Sequence, residues 1–424
     1  MQYDVIIIGA GAAGLMAMQE LVATGHKVCL LEASDSLGGR INTIGREGFD
    51  NEVETGAEFI HGNATVTMDL LKQANISYTP VSGDMIPIEK GVWFDEPEND
   101  RSMELLNEKI SLLKDDCTIR HFLDIFFAEE EYEEVRTFIQ LLAEGYCLAD
   151  IDTASIFSFQ KDISHFEETD YRITGGYQSL INYLFETCED KATVHFSSEV
   201  YNIVYRENDV MVNTKDGKSY QATKLIITVS AGVLKAADIS FNPQLDEHET
   251  AITQLGFGSV VKFLLQFSEP FWEKKSKNLT FALSDETIPT WWTQLPQRTC
   301  LLTGWLGGPA AREASRLSGD ELYELALKSL SNIFSMDISQ LRSLLTHHKI
   351  VCWDNNSYVK GGYSFNTLSS ESAKEILRKP VMNTIFFAGE AIYSGEFQGT
   401  VEAALVSGRD VARQIEVPAL INRV

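Results

Sequence analysis

The sequence predicts an α/β fold in which remote stretches of one 424-residue chain build a single parallel sheet. Three observations carry that prediction. Residues 5–8 (VIII) form a β-branched run that ends in a glycine-rich turn, and residues 384–388 (TIFFA) run into Gly389 in the same way. Between these ends, residues 193–230 alternate apolar and polar positions over several strand lengths.

The first forty residues are the most informative. The β-branched run suits a strand buried on both faces. Gly9-Ala10-Gly11-Ala12-Ala13-Gly14 follows at once in the pattern G-x-G-x-x-G. Gly9 permits a tight turn, Gly11 lets backbone approach a pyrophosphate, and Gly14 lets the next helix pack on the sheet. Residues 12–23 are helix formers, so a helix would point its positive end at the phosphates. Residues 27–31 read as a second strand. Glu32 closes it, placed to accept hydrogen bonds from a ribose diol. Strand, turn, helix, strand and acid in this order predict a Rossmann-like site for an adenine dinucleotide, NAD or FAD. Gly38-Gly39-Arg40 extends the backbone along a longer cofactor, with Arg40 able to meet phosphate or flavin.

Further along, residues 102–148 are helical and acidic in pattern, and the cluster from Glu129 to Glu134 reads as a solvated helix face. Asp216-Gly217 marks a hairpin, followed by a buried run at 225–229. Helical periodicity returns at 319–334. The last strand at 384–388 leads through Gly389-Glu390 into a helix over 400–415. If both end strands share one sheet, the nucleotide domain is discontinuous and the remainder is inserted into it.

Bulk properties narrow the class. Hydrophobic content of 44% and charged content of 23% are those of a soluble globular chain. A formal net charge of −26 argues against nucleic acid and favours cationic small molecules. The six cysteines form no C-x-x-C pair, which fits reduced thiols in a cytoplasm rather than a disulfide frame or a zinc site. No stretch of about twenty apolar residues exists, and the tail from Gln414 to Val424 is too short to span a bilayer. The expectation is a cytoplasmic protein with no membrane or metal partner.

With these pieces in place, the chain resembles the flavin-containing amine oxidases: monoamine oxidases, polyamine oxidases and lysine demethylases. The motifs are GAGAAG…LLEA, LGGR, ETGAEFIHG, SSEVYNI, KLIITVSAGVLK, GSVVKFLLQF, WDNNSYVKGGYSF, FFAGEA and GTVEAALVSG, spread nearly end to end. The resemblance implies FAD and a Rossmann-like domain of the GR2 flavoprotein type. That domain would comprise residues 1–79, 173–247 and 351–424. An inserted α+β substrate domain with a mixed sheet would comprise residues 80–172 and 248–350. It also implies oxidation of a primary or secondary amine to an imine, with O2 reduced to H2O2.

Residues carry over one by one. The implied cofactor contacts are Gly9, Gly11, Ala13, Gly14, Glu32, Ala33, Gly39 and Arg40, then Gly56, Ala57, Glu58 and Phe59. Val200 matches a backbone contact to adenine, and Trp353 a tryptophan near the flavin ring. Gly389-Glu390 matches the ribitol and pyrophosphate side. Thr400-Val401, at the start of the last helix, meets the flavin pyrimidine. Lys262, in an otherwise apolar strand, is costly to bury without a role; in the family a lysine here holds a water near flavin N5. Tyr363 matches one wall of an aromatic cage, and Thr400 stands where the second aromatic would be, so the cage is half open. His61 is where animal polyamine oxidases carry a histidine close to the flavin.

The residue before Tyr363 is Gly362, where monoamine oxidases carry a cysteine bonded to the flavin, so FAD is expected to be non-covalent. These departures place the chain nearer polyamine oxidases. Three alternatives stay open: an L-amino-acid oxidase, which would use Arg172 or Arg298 for a carboxylate; a dehydrogenase or desaturase of the same fold; and an FAD binder without turnover. Amine length and the C–N bond attacked depend on the lining of the inserted domain.

Overall fold

A computed structural model describes residues 2–94, 101–164 and 168–421, with side chains described as far as residue 416. Gln2–Ile8 pairs in parallel with Val28–Leu31 on one side and Ser219–Ile227 on the other. Ile385–Phe387 pairs in parallel with the same stretch of Ser219–Ile227, so the two chain ends do meet in one sheet. The register aligns Ile8 with Leu31 and Ile227, and Ile227 with Phe387. Four carboxyl ends therefore lie side by side, and the residues that follow them are Gly9, Glu32, Thr228 and Ala388. In an open parallel sheet this edge is where ligands bind. The hairpin around Asp216-Gly217 forms as expected, with Gly217 at φ +82° joining Asp209–Thr214 to Ser219–Ile227.

The second large sheet runs Leu345–Cys352, Val260–Phe267, Leu301–Gly307, Thr290–Trp292, Leu279–Ser284, Asp84–Glu89 and Val92–Trp93. Its pairs are antiparallel except Asp84–Glu89 against Leu279–Ser284, so the sheet is mixed. All eight residues of Val260–Phe267 are buried, because both faces are covered. Val261, Phe263 and Leu265 pack with Leu322, Ala326, Leu327 and Leu330 of the helix Gly319–Phe334. The alternate residues face the other way: Leu264 packs on Phe49 and Val53, and Gln266 donates to Asp50. Lys262 lies on that inner face.

The acidic helical stretch 102–148 holds three short α-helices, Ser102–Ile110, Ile119–Phe126 and Glu133–Gln140, and a fourth, Ile156–Ile163, follows beyond a loop. Thr118 caps the second by accepting from the His121 backbone N–H, which explains the break. Glu129, Glu130, Glu131, Glu133 and Glu134 are all exposed, as a solvated face requires. Residues 141–146 continue the third helix as a π-helical turn. The final helix, Val401–Ile421, runs beyond the expected end at 415. Part of the tail from Gln414 lies outside the described side chains. Among the described residues no helix is long and apolar enough to cross a membrane, and no cluster of ligating side chains could hold a metal. All six cysteines are free thiols.

Candidate active site

One cavity of about 540 Å³ runs from the aligned strand ends to the inner face of the mixed sheet. Every residue carried over from the family resemblance lines it except Gly14. Gly14 packs instead: a Cβ there would lie 1.9 Å from the Gly9 carbonyl oxygen, so the helix Ala12–Ala23 can approach the strand only without a side chain. Gly9 has φ +106°, a backbone shape that a side chain disfavours.

The site fits a long anionic cofactor. A Cβ on Gly11 or Gly39 would meet nothing nearer than 3.8 Å, and one on Gly389 nothing within 4 Å. Side chains at these three places would project into the cavity, so their absence opens a cradle along its wall. Gly11 begins the helix Ala12–Ala23 without a side-chain cap, and no acidic residue sits in its first turn. Its N–H groups and the positive end of its dipole remain for an anion. Glu32 is held in place, accepting from the Ala10 N–H at 2.7 Å and from the Ser34 N–H and hydroxyl at 2.8 Å. Val200 and Ala33 lie at the same end.

Across from this cradle, Arg40 donates to the Glu390 carboxylate at 2.7 Å and to the Gly362 carbonyl at 2.8 Å. Trp353 is buried and donates from Nε1 to the Thr55 carbonyl. The Thr400 hydroxyl donates to the Phe397 carbonyl and accepts from the Ala403 N–H at 3.3 Å. It therefore caps the last helix at the cavity wall.

Lys262 is 1% exposed. A solvent-facing lysine on an alternating strand is thereby excluded. Its Nζ donates to Glu58 Oε2 at 2.7 Å and to the Gly56 carbonyl at 3.1 Å. An ammonium has three N–H groups, so one is left without a protein acceptor among the described residues. Glu58 also accepts from Trp292 Nε1 at 2.9 Å and from Arg172 Nε at 3.2 Å. Burial alone would raise the Glu58 carboxyl, but Lys262 and Arg172 outweigh it and hold it at about 2. Nearby Glu54 goes the other way: burial pushes it up to about 7, against the Tyr177 N–H and the Lys262 charge.

Sequence reasoning made Glu58 a cofactor contact and did not foresee its counter-ion role. Only pairing across 204 residues brings its carboxylate to Lys262.

The aromatic wall is also fuller than expected. Tyr363 stacks on Trp305 with centroids 6.4 Å apart and planes at 23°. The polar tips of both rings are held by the π-helical turn: Trp305 Nε1 donates to the Gly145 carbonyl, and the Tyr363 hydroxyl to the Tyr146 carbonyl. Trp305 stands opposite Lys262 in the sheet register. Burial pushes the Tyr363 hydroxyl well up, so it stays a neutral donor. Phe59 packs on Trp292 and His61. His61 Nδ1 is 2.8 Å from Asp170 Oδ1, and its ring meets Tyr146 edge-on. Trp305, Trp292, Tyr146 and Phe397 line the cavity but were not singled out from sequence, because a lone aromatic reads as core. Their signal would have been pairing with Lys262 and Tyr363, which sequence does not display.

Arg172 and Arg298 do not line the cavity. Arg172 is engaged by Glu58 and by the carbonyls of Leu295 and Thr293, while Arg298 is bonded to Glu273 and the Lys277 carbonyl.

The sequence profile of the family described as flavin containing amine oxidoreductase matches residues 12–416. Lysine-specific histone demethylase 2 of Homo sapiens is 28% identical over 455 residues, covering 97% of this chain and 53% of that protein. Polyamine oxidase 3 of Oryza sativa subsp. japonica is 27% identical over 451 residues, covering 98% and 89%. The chain thus spans about half the length of the demethylases it matches and most of the plant oxidase. Among solved structures, putrescine oxidase bound to putrescine superposes with a TM-score of 0.84 at 19% identity, covering 98% of this chain and 99% of that one. Cyclohexylamine oxidase from Brevibacterium oxydans IH-35A gives 0.80 at 21% identity, covering 98% and 99%. Those two likenesses show a shared fold. The cofactor is FAD, held non-covalently. From its profile, its fold and its glycine cradle, this chain belongs to the flavin-containing amine oxidoreductases.

Proposed function

We propose that the chain oxidises a primary or secondary amine, polyamine-like or monoamine, to an imine, with O2 reduced to H2O2. The observation that carries this reading is the meeting of Lys262 with the Tyr363–Trp305 pair in the cavity that begins at the glycine cradle. When bound, FAD supplies the two-electron acceptor for the C–H bond beside the nitrogen and passes the electrons to O2.

The protein's part follows from its side chains. Ring faces of Tyr363 and Trp305 attract a cation on approach and exclude water from the reacting carbon. The buried positive charge of Lys262 disfavours an ammonium beside it and so favours the neutral amine, the form able to be oxidised. The remaining Lys262 N–H orients a water for attack on the imine carbon. Backbone N–H groups at Thr400 and Val401 place the positive end of a helix where charge accumulates on reduction.

A polyamine-like substrate is favoured over a small apolar one by the carboxylates of Asp162 and Asp170 on the same lining, with His61 beside Asp170. The names of the plant relatives agree with that choice. We further propose the division into residues 1–79, 173–247 and 351–424 around FAD, and 80–172 and 248–350 around the amine. It is supported by the strands of the first sheet all falling in the former set, and those of the second in the latter except Leu345–Cys352, which crosses the boundary. A cytoplasmic location is proposed from the six free cysteines.

The test is anaerobic mixing of the yellow protein with monoamines, polyamines, N-acetylpolyamines and amino acids. Bleaching of the flavin by an amine is expected. Bleaching by amino acids alone, or by none of them, would overturn the proposal.

A further inference from the structure

Lys374 lies on the helix Ser370–Leu377, outside the cavity lining, and is 0% exposed. Among the described residues the one carboxylate within 4 Å of its ammonium is Glu371, at 3.7 Å and with its side chain 60% exposed. Its one close bond is to the Gln398 side chain, Nζ to Oε1 at 2.8 Å. Burial lowers its pKa, so this position is an expensive place for an ammonium.

Gln398 does line the cavity, two residues before the last helix begins. Its Oε1 also accepts from Asn366 Nδ2 at 2.6 Å, and its Nε2 faces Asn366 Oδ1 at 3.2 Å and Ser364 Oγ at 3.4 Å. Ser364 then donates from Oγ to Glu390 Oε2 at 2.6 Å. Glu390 Oε1 accepts from Arg40. Reading from Lys374 to Glu390, every hydrogen points the same way. Lys374 sets that direction because an ammonium only donates, so the Gln398 amide cannot flip without placing N–H against N–H.

We propose that Lys374 is a positioning residue for the cofactor: through Gln398 and Ser364 it fixes Glu390, and with it Arg40, in the geometry that receives FAD. The chain of bonds keeps Glu390 a pure acceptor. Glu390 thereby holds one edge of the Arg40 guanidinium and leaves its other N–H groups for the anionic cofactor. This inference rests on the FAD reading of the cavity, and not on which amine is oxidised.

The experiment is a double-mutant cycle on the full-length chain stripped of flavin and titrated with FAD by fluorescence quenching. Lys374→Met and Ser364→Ala do not involve residues in contact, so independent effects would multiply. Each single variant is expected to weaken FAD binding about tenfold, as for loss of a bond to a charged group. The double variant is expected within about twofold of the weaker single one, since both break the same relay. An affinity for Lys374→Met equal to the parent, or a double variant about a hundredfold weaker than the parent, would overturn the relay. Should Lys374→Met fail to fold, Lys374→Leu, which likewise removes the donor and does not touch Ser364, replaces it in the same cycle with the same expected outcomes. A parent chain that takes up no FAD would instead overturn the cofactor reading on which the relay stands.

Discussion

Replacing Glu58 by Gln tests the electrostatic arrangement at the centre of the cavity. The variant keeps shape and one acceptor oxygen for Trp292 and Arg172, but it removes the charge that faces Lys262 at 2.7 Å. Two buried cations are then left without their shared carboxylate. A shift of the carboxyl from 4.5 to about 2 corresponds to about 3 kcal/mol of stabilisation above pH 4.5. Breaking a buried ion pair from one side costs about 3–5 kcal/mol, which agrees in scale. The sign follows from a depressed folded-state pKa: the contribution is present above 4.5 and is lost as pH falls through about 2. Urea unfolding of FAD-free parent and Glu58→Gln should therefore differ most at pH 6–7 and converge towards pH 2. A variant within about 0.5 kcal/mol of the parent at pH 7, the range of an ordinary surface change, would refute the counter-ion role. Adding Lys262→Met should recover part of the loss, because it removes one of the stranded charges.

Three further outcomes are expected. Glu54→Gln should stabilise the protein above pH 7 and leave it unchanged below pH 4.5, since burial raises that carboxyl to about 7 and its charged form opposes folding; thermal melting at pH 4.5 and 8 measures this. Glu32→Ala should weaken FAD retention on a desalting column, as it frees the Ala10 and Ser34 donors that shape the turn around the cofactor. Gly362→Cys should destabilise by about 1–3 kcal/mol through overpacking, because a Cβ there would lie 2.5 Å from Leu148 Cδ1; acid precipitation should still release the flavin from the parent.

Much of the nucleotide half was legible because its signals are local. The turn after Ile8, the helix Ala12–Ala23 and the acid at position 32 lie within one strand–helix–strand unit, and each follows from backbone geometry and spacing. The similar ends at Ile8 and Phe387 gave away their common sheet for the same reason: a strand buried on both faces has a composition of its own. The acidic stretch 102–148 was legible as helical in pattern, but the bounds of its separate helices were not, because a cap such as Thr118 competes with periodicity over a single residue.

By itself the sequence determined an α/β fold with a dinucleotide site, and pointed to Lys262 and Tyr363 by residue type and motif. Tertiary structure alone decided what these residues face: Glu58 and Arg172 beside Lys262, Trp305 against Tyr363, and Lys374 at the far end of a bonded chain to Arg40. The physical reason is range. Turn shape and strand burial are set by neighbours in the chain, whereas the energy of a buried charge is set by whatever group lies within a few ångströms in space.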